Sequence, residues 1–268
     1  MSIPIGSYIA LPRRGAVTVS GQDRRAFLQG LITNDISLLD TQNMIYACLL
    51  TAQGKILHDF FVTEQDDTVT LECEDSSRAH DLAERISKFK LRSKVTIDVI
   101  ETLPVYQAVD TLCPPRFFPD PRHPALGLRG YQKPDGMAEA PFDVWDRYRI
   151  SLCIPDGSRD IEVGASTIQE CHLDKLNAVS FEKGCYVGQE LTARIHYRGL
   201  SKKHLYAVET TDGNPLPAPG SDLRVGDTLI GEMRSSCGDI GLVLLKDENV
   251  GILSKANLRQ ILTHPGVS

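Results

Sequence analysis

The chain has 268 residues, 41% apolar and 24% charged, with a formal net charge of −6. That length predicts two or three packed units with a core that needs no covalent staples. The negative balance argues against a general nucleic-acid binder while leaving room for a local basic pocket. No apolar run approaches the ~20 residues of a membrane span. Met1-Ser-Ile-Pro-Ile-Gly-Ser-Tyr8 lacks a charged segment followed by an apolar one, so a soluble cytoplasmic protein without a membrane partner is expected. Seven cysteines at 48, 73, 113, 153, 171, 185 and 237 are odd in number and contain no Cys-x-x-Cys. They fit a reducing compartment rather than a disulfide framework. Cys48, Cys73 and Cys153 fall in apolar runs and read as core. Cys171-His172 and Cys185 with His196 match no common ligand spacing, so no metal site is expected.

In chain order, the β-branched alternation of Gly15–Ser20 predicts a strand. Asp23 is placed to cap a following helix with Ala26, Phe27, Leu31 and Ile32 on one side. Thr33, Asn34 and Asp35 end it. Met44–Thr51 and Ile56–Thr63 read as a hairpin turning at Ala52-Gln-Gly-Lys55. Thr68–Cys73 is a third strand. Ser76 is placed to cap an amphipathic helix to about Lys90, with Ala79, Leu82, Ala83, Ile86 and Phe89 on its apolar face. Val95–Ile100 and Val105–Val109 are further strands. Five prolines between Thr111 and Pro124 predict an irregular loop. Phe142–Ile154 begins helical and carries Trp145, the only tryptophan. From Leu200 onward, short apolar runs (Leu205–Glu209, Thr228–Met233, Ile240–Leu245, Val250–Leu253) alternate with turn residues and predict a small antiparallel β-barrel or sandwich. The predicted class is α+β, in three units spanning 1–110, 111–199 and 200–268.

The richest stretch is Val179-Ser-Phe-Glu-Lys-Gly-Cys-Tyr-Val-Gly-Gln-Glu-Leu-Thr-Ala-Arg194. Val187, Leu191 and Ile195 form a stripe that predicts a helix to Arg198, with Glu190 and Arg194 spaced i, i+4. Cys185 then precedes a helix N-terminus with Lys183 two residues before it, a setting that favours a thiolate. Two readings stand: a reactive cysteine on a tight turn, or an inert packing residue.

Lys183-Gly-Cys-Tyr-Val-Gly-Gln-Glu190 resembles the signature of the folate-binding YgfZ family, which is related in fold to the T-protein (aminomethyltransferase) of the glycine cleavage system. Phe27-Leu-Gln-Gly-Leu-Ile-Thr-Asn-Asp35 resembles the N-terminal motif of both, and Glu170 with Leu173-Asp174 matches a third stretch. Ile168-Gln169 stand where that family usually has a proline. The resemblance implies three subdomains in a ring around a central opening, with tetrahydrofolate bound there. It implies an accessory role toward 4Fe–4S client proteins and hence in supporting tRNA modification.

Cys185 is then the functional thiol, with Lys183 beside it. Folate binding needs a carboxylate or amide for the pterin, a flat wall, and positive charge for the tail. Glu170, Asp59 and Asn34 are candidates for the first; Tyr186 or Trp145 for the second; and Arg194, Arg198, Lys202 or Lys203 for the third. Gln189 and Glu190 complete the loop. T-proteins carry two adjacent acidic residues where this chain has His58-Asp59. That favours the accessory reading over the alternative, an aminomethyltransferase-like one-carbon transfer enzyme.

Overall fold

The computed structural model describes residues 3–109 and 116–261. Cys113 and the first two prolines of the proline-rich loop lie outside that range. The described chain builds three five-stranded sheets. The first runs in the order Ile45–Leu50, Ile56–Gln65, Thr68–Cys73, Gly15–Ser20, Thr96–Ile100 and is antiparallel throughout. The second is mixed, in the order Ala138–Glu139, Ser7–Leu11, Val105–Val109, Leu128–Gly130, Phe117–Pro119, with its first pair parallel. The third, antiparallel, runs Asp222–Val225, Thr228–Cys237, Ile240–Lys246, Lys203–Thr210, Leu258–Gln260.

The first sheet is a wall between two cores. Alternating side chains on a strand point to opposite faces. Ile45, Ala47, Leu49, Phe60 and Val62 therefore join the core with α1 (Arg24–Gln29) and α2 (Ser76–Ser87). Tyr46, Cys48, Leu50 and Phe61 face the large core shared with the other two sheets. α2 packs through Ala79, Leu82 and Ile86, whereas Phe89 lies beyond its end and is exposed. Its cap is Asp75, whose side chain accepts from Arg78 N at 2.8 Å, not Ser76. Asp23 precedes α1 but makes no capping bond; it accepts from Lys94 N instead.

A boundary at residue 110 does not coincide with a sheet boundary. Ser7–Leu11 and Val105–Val109 pair with each other inside the second sheet, so the first unit's outer strands belong to its neighbour. Phe117–Pro119 forms an edge strand despite the prolines around it, because an edge needs fewer backbone donors. Val250–Leu253, expected as a strand, lies in a 3-10 segment, Asp247–Ala256. α3 (Phe142–Ser151) crosses onto the third sheet. Residues 152–188 hold little regular structure. They still bury Ile154, Ile161, Ile168, Cys171, Leu173, Leu176 and Ala178 in the large core. α4 (Gln189–Arg198) ends at Gly199, in the left-handed conformation.

Candidate functional site

Where the first two sheets and α3 meet, the chain encloses a cavity of about 460 Å³. Asp59 and Phe61 reach it from one strand, two residues apart and therefore on one face. The Asp59 carboxylate accepts from Tyr46 Oη at 2.7 Å. Burial raises its pKa above the ordinary range, against the Tyr46 hydroxyl bond and the guanidiniums of Arg14 and Arg122. Phe61, Phe142 and Trp145 supply flat apolar walls.

Arg14, Arg122, Arg129 and Arg159 also line the cavity, each braced by carboxylates. Arg14 Nε lies 2.8 Å from Glu72 Oε1, and Arg129 engages the same carboxylate through Nε at 3.0 Å and through Nη2. Arg122 forks onto Asp120 at 3.0 and 2.8 Å. Arg159 bonds Asp146 and Asp156. The guanidinium carbons of Arg129 and Arg122 lie 3.9 and 4.7 Å from the Phe61 ring centre, within cation–π range. Asp156 lines the same wall; burial opposes its charge, but Arg149, Arg14 and Arg159 hold its carboxyl well below the ordinary value.

Of the residues singled out in the sequence, Asp59 and Trp145 come together here. The others lie elsewhere. Asn34 uses its amide on the Tyr46 and Asn177 carbonyls and on Asp35 N, and lines a second cavity beside Val179–Glu182. Glu170 accepts from Thr167 N at 2.8 Å and sits 3.4 Å from Lys203 Nζ. Tyr186 is buried in the large core. Gln189 is half-buried, and Glu190 and Arg194 are exposed on α4. His58 faces away from Asp59, toward α2, where Nε2 meets Asp81 Oδ2 at 2.8 Å. A His–Asp pair on consecutive strand residues cannot serve one site.

The cavity arginines escaped sequence reasoning because Arg14 and Arg129 share Glu72, 58 and 57 residues away, and the nearer partners, Asp120 for Arg122 and Asp146 and Asp156 for Arg159, belong to no recognisable motif. The signal was composition: arginines inside apolar strands such as Leu128–Gly130 must be paired to be buried.

His58 also sets an acid limit. Burial, aided by Arg78, pulls its pKa down to about 4 against the attraction of Asp81. The unfolded chain therefore takes up this proton first. The stability that neutral His58 contributes is complete above about pH 6.5 and is lost as pH falls toward 4, on the order of 3 kcal/mol. Urea midpoints of His58→Gln should depend less on pH between 6.5 and 4 than those of the parent; equal slopes would exclude His58 as the source.

The loop before α4 is docked on the end of α1. Lys183 is 7% exposed, and its Nζ donates to the Gln29, Ile32 and Asn34 carbonyls at 2.7, 2.8 and 2.9 Å. These are carbonyls left without helical partners, the usual targets of a basic side chain at a helix end. Burial draws the Lys183 pKa down to about 8, against Asp35. Val187 N donates to Gly30 O and Ser180 N to Thr33 O, completing the seam. The two motifs legible in the sequence thus form one structural unit.

Gly188 has φ +85, and a Cβ there would lie 2.5 Å from Thr51 O. Gly188→Ala should cost about 2–4 kcal/mol from left-handed strain plus overlap, read as a lower denaturant midpoint. A change under about 0.5 kcal/mol would show that the loop yields freely. Cys185 is exposed on this loop; Cys48, Cys73, Cys153 and Cys171 are buried, and Cys237 is intermediate.

Comparison with known proteins agrees with this architecture. Residues 12–103 match the GCVT N-terminal domain family. The crystal structure of glycine cleavage system aminomethyltransferase T from Bartonella henselae superposes with a TM-score of 0.73 at 14% identity, covering 91% of this chain and 79% of that one. The molecule therefore has the aminomethyltransferase-like fold, an α+β arrangement of subdomains in a ring. The mitochondrial iron-sulfur cluster assembly factor IBA57 of Mus musculus is 33% identical over 282 residues, 90% of this chain and 77% of its own length. The homologue from Mycosarcoma maydis is 36% identical over 240 residues, 80% of this chain and 60% of its own. The chain belongs to the IBA57 family.

Proposed function

We propose that this protein is a tetrahydrofolate-binding accessory factor for the assembly or repair of iron–sulfur proteins, with Cys185 as its functional thiol and with the loop signature of the YgfZ group. The observation that carries the reading is a division of labour. One cavity combines a hydrogen-bonded carboxylate, aromatic walls and arginines, while a separate, docked loop exposes a single cysteine. The cavity chemistry fits a reduced folate. Asp59 suits the N–H groups of a pterin edge, Trp145, Phe61 and Phe142 suit its flat ring, and Arg159 or Arg13, which also lines the cavity, suits a tail carboxylate. The volume is that of a small-molecule site. Among the described residues no three His, Cys, Asp or Glu are grouped to hold a metal ion. Contact of Cys185 with a cluster or persulfide would therefore be completed by the client or another assembly protein.

The one-carbon transfer alternative asks for a second acid or base beside Asp59; His58 is turned away from it, and Asp156 on the same wall is tied up as a carboxylate by Arg159 and Arg14. Cys185→Ser tests the reading. In cells that depend on this protein, the activity of a 4Fe–4S reporter enzyme should fall severalfold or more while tetrahydrofolate affinity stays unchanged. Full reporter activity would reduce the protein to a folate-binding module with an inert Cys185. Turnover of an aminomethyl donor would move it to the transferases.

A further inference from the structure

Some exposed arginines are paired: Arg259, with 66% of its side chain exposed, holds Glu209 at 2.8 Å, and Arg224 holds Asp222 at 2.8 Å. The outer face of α4 gathers cations that are not. Arg194, Arg198 and, just beyond, Lys202 are exposed and form no ion pair among the described residues. Arg194, Tyr197 and Arg198 share one helix face by their i, i+3, i+4 spacing, while Thr192 on the opposite side is buried. Tyr197 is 72% and Leu200 49% exposed, among the largest exposed apolar groups of the chain. In a protein of net charge −6, this is a face with an apolar centre on which three cations outnumber the one acid of the helix, Glu190. It begins where the Cys185 loop ends. Arg194 and Arg198 lie about 8 and 14 Å along the axis from Gln189, near enough to Cys185 for their field to act there at low salt.

We infer that this face docks a protein whose surface is rich in carboxylates around an apolar recess, seated so that its reactive group reaches Cys185. Exposed Tyr and Arg together are the residues that anchor protein interfaces, and the exposed Leu200 offers nothing to a phosphate backbone. The inference rests on the reading of Cys185 as a thiol that meets another protein.

Three peptides carrying a 2-thiopyridyl disulfide test it: Glu/Leu, Glu/Ser and Lys/Leu in composition. The Cys185 thiolate attacks the peptide sulfur, a mixed disulfide forms, and pyridine-2-thiol leaves and is read by absorbance; mass spectrometry locates the site. The Glu/Leu peptide should react with Cys185 at least about tenfold faster than Lys/Leu at low salt, with the ratio shrinking as salt rises. The triple variant R194E/R198E/K202E should invert the preference. Y197S/L200S should remove the advantage of Glu/Leu over Glu/Ser. Equal rates for Glu/Leu and Lys/Leu, or a preference untouched by charge reversal, would overturn the docking surface and leave the Cys185 reading standing. Glu/Ser matching Glu/Leu in the parent would replace the protein partner by any polyanion and overturn the inference. Labelling of Cys185 by none of the peptides would overturn both.

Discussion

Glu72→Gln is expected to lower stability by about 3–5 kcal/mol, the usual result of removing one partner from a buried ion pair. Glu72 is fully buried between Arg14 and Arg129. Burial opposes its charge, yet Arg129 and Arg14 hold its carboxyl below the ordinary value. It lies on the first sheet, across from Phe61, and Arg129 comes from the second. The carboxylate is therefore the electrostatic tie between two sheets at the cavity wall. The neutral amide leaves two guanidiniums facing each other with little water to screen them. Denaturant unfolding should show the loss in the midpoint, and the remaining folded protein should bind tetrahydrofolate poorly. A loss below about 1 kcal/mol would mean that the arginines relax to solvent and that the tie is dispensable.

The second large effect concerns ligand. Asp59→Ala should weaken tetrahydrofolate binding about 10- to 100-fold, the worth of hydrogen bonds to a charged group. Calorimetric titration under reducing conditions would measure it. Glu170→Ala and Arg194→Ala should stay within about twofold, because neither residue lines the cavity. Tyr46→Phe should fall between, since Asp59 keeps its place but loses a donor. Unaltered affinity in Asp59→Ala would remove the central cavity as the folate site. A large loss in Glu170→Ala would move the site toward the seam beside Lys203.

Much of the fold was legible because period and turn chemistry are local. The Ile45–Leu50 and Ile56–Gln65 hairpin, α2 and three strands of the third sheet, Lys203–Thr210, Thr228–Cys237 and Ile240–Lys246, carry their signals within a dozen residues. What was missed is non-local. Ser7–Leu11 has no alternation and becomes a strand only because Val105–Val109 lies beside it. Phe117–Pro119 is made a strand by Leu128–Gly130 against its own proline content. The site divides the same way. Asp59 and Trp145 could be picked as residue types able to hold a pterin, but the arginine wall comes from four separate segments. The thiol loop was visible as a motif. The seating of Lys183 was not, since backbone carbonyls carry no sequence signature.

That seating has an evolutionary consequence. Lys183 reads only main-chain oxygens at positions 29, 32 and 34, which any amino acid presents. The clamp itself does not read the side chains there; those are held by other contacts, Ile32 in the core and Asn34 on the Tyr46 and Asn177 carbonyls. Co-variation across relatives should therefore be weak between Lys183 and these positions even though they touch. A lysine kept for its backbone partners, with no side chain that must change in step with it, is the pattern such a joint would leave in the record of descent.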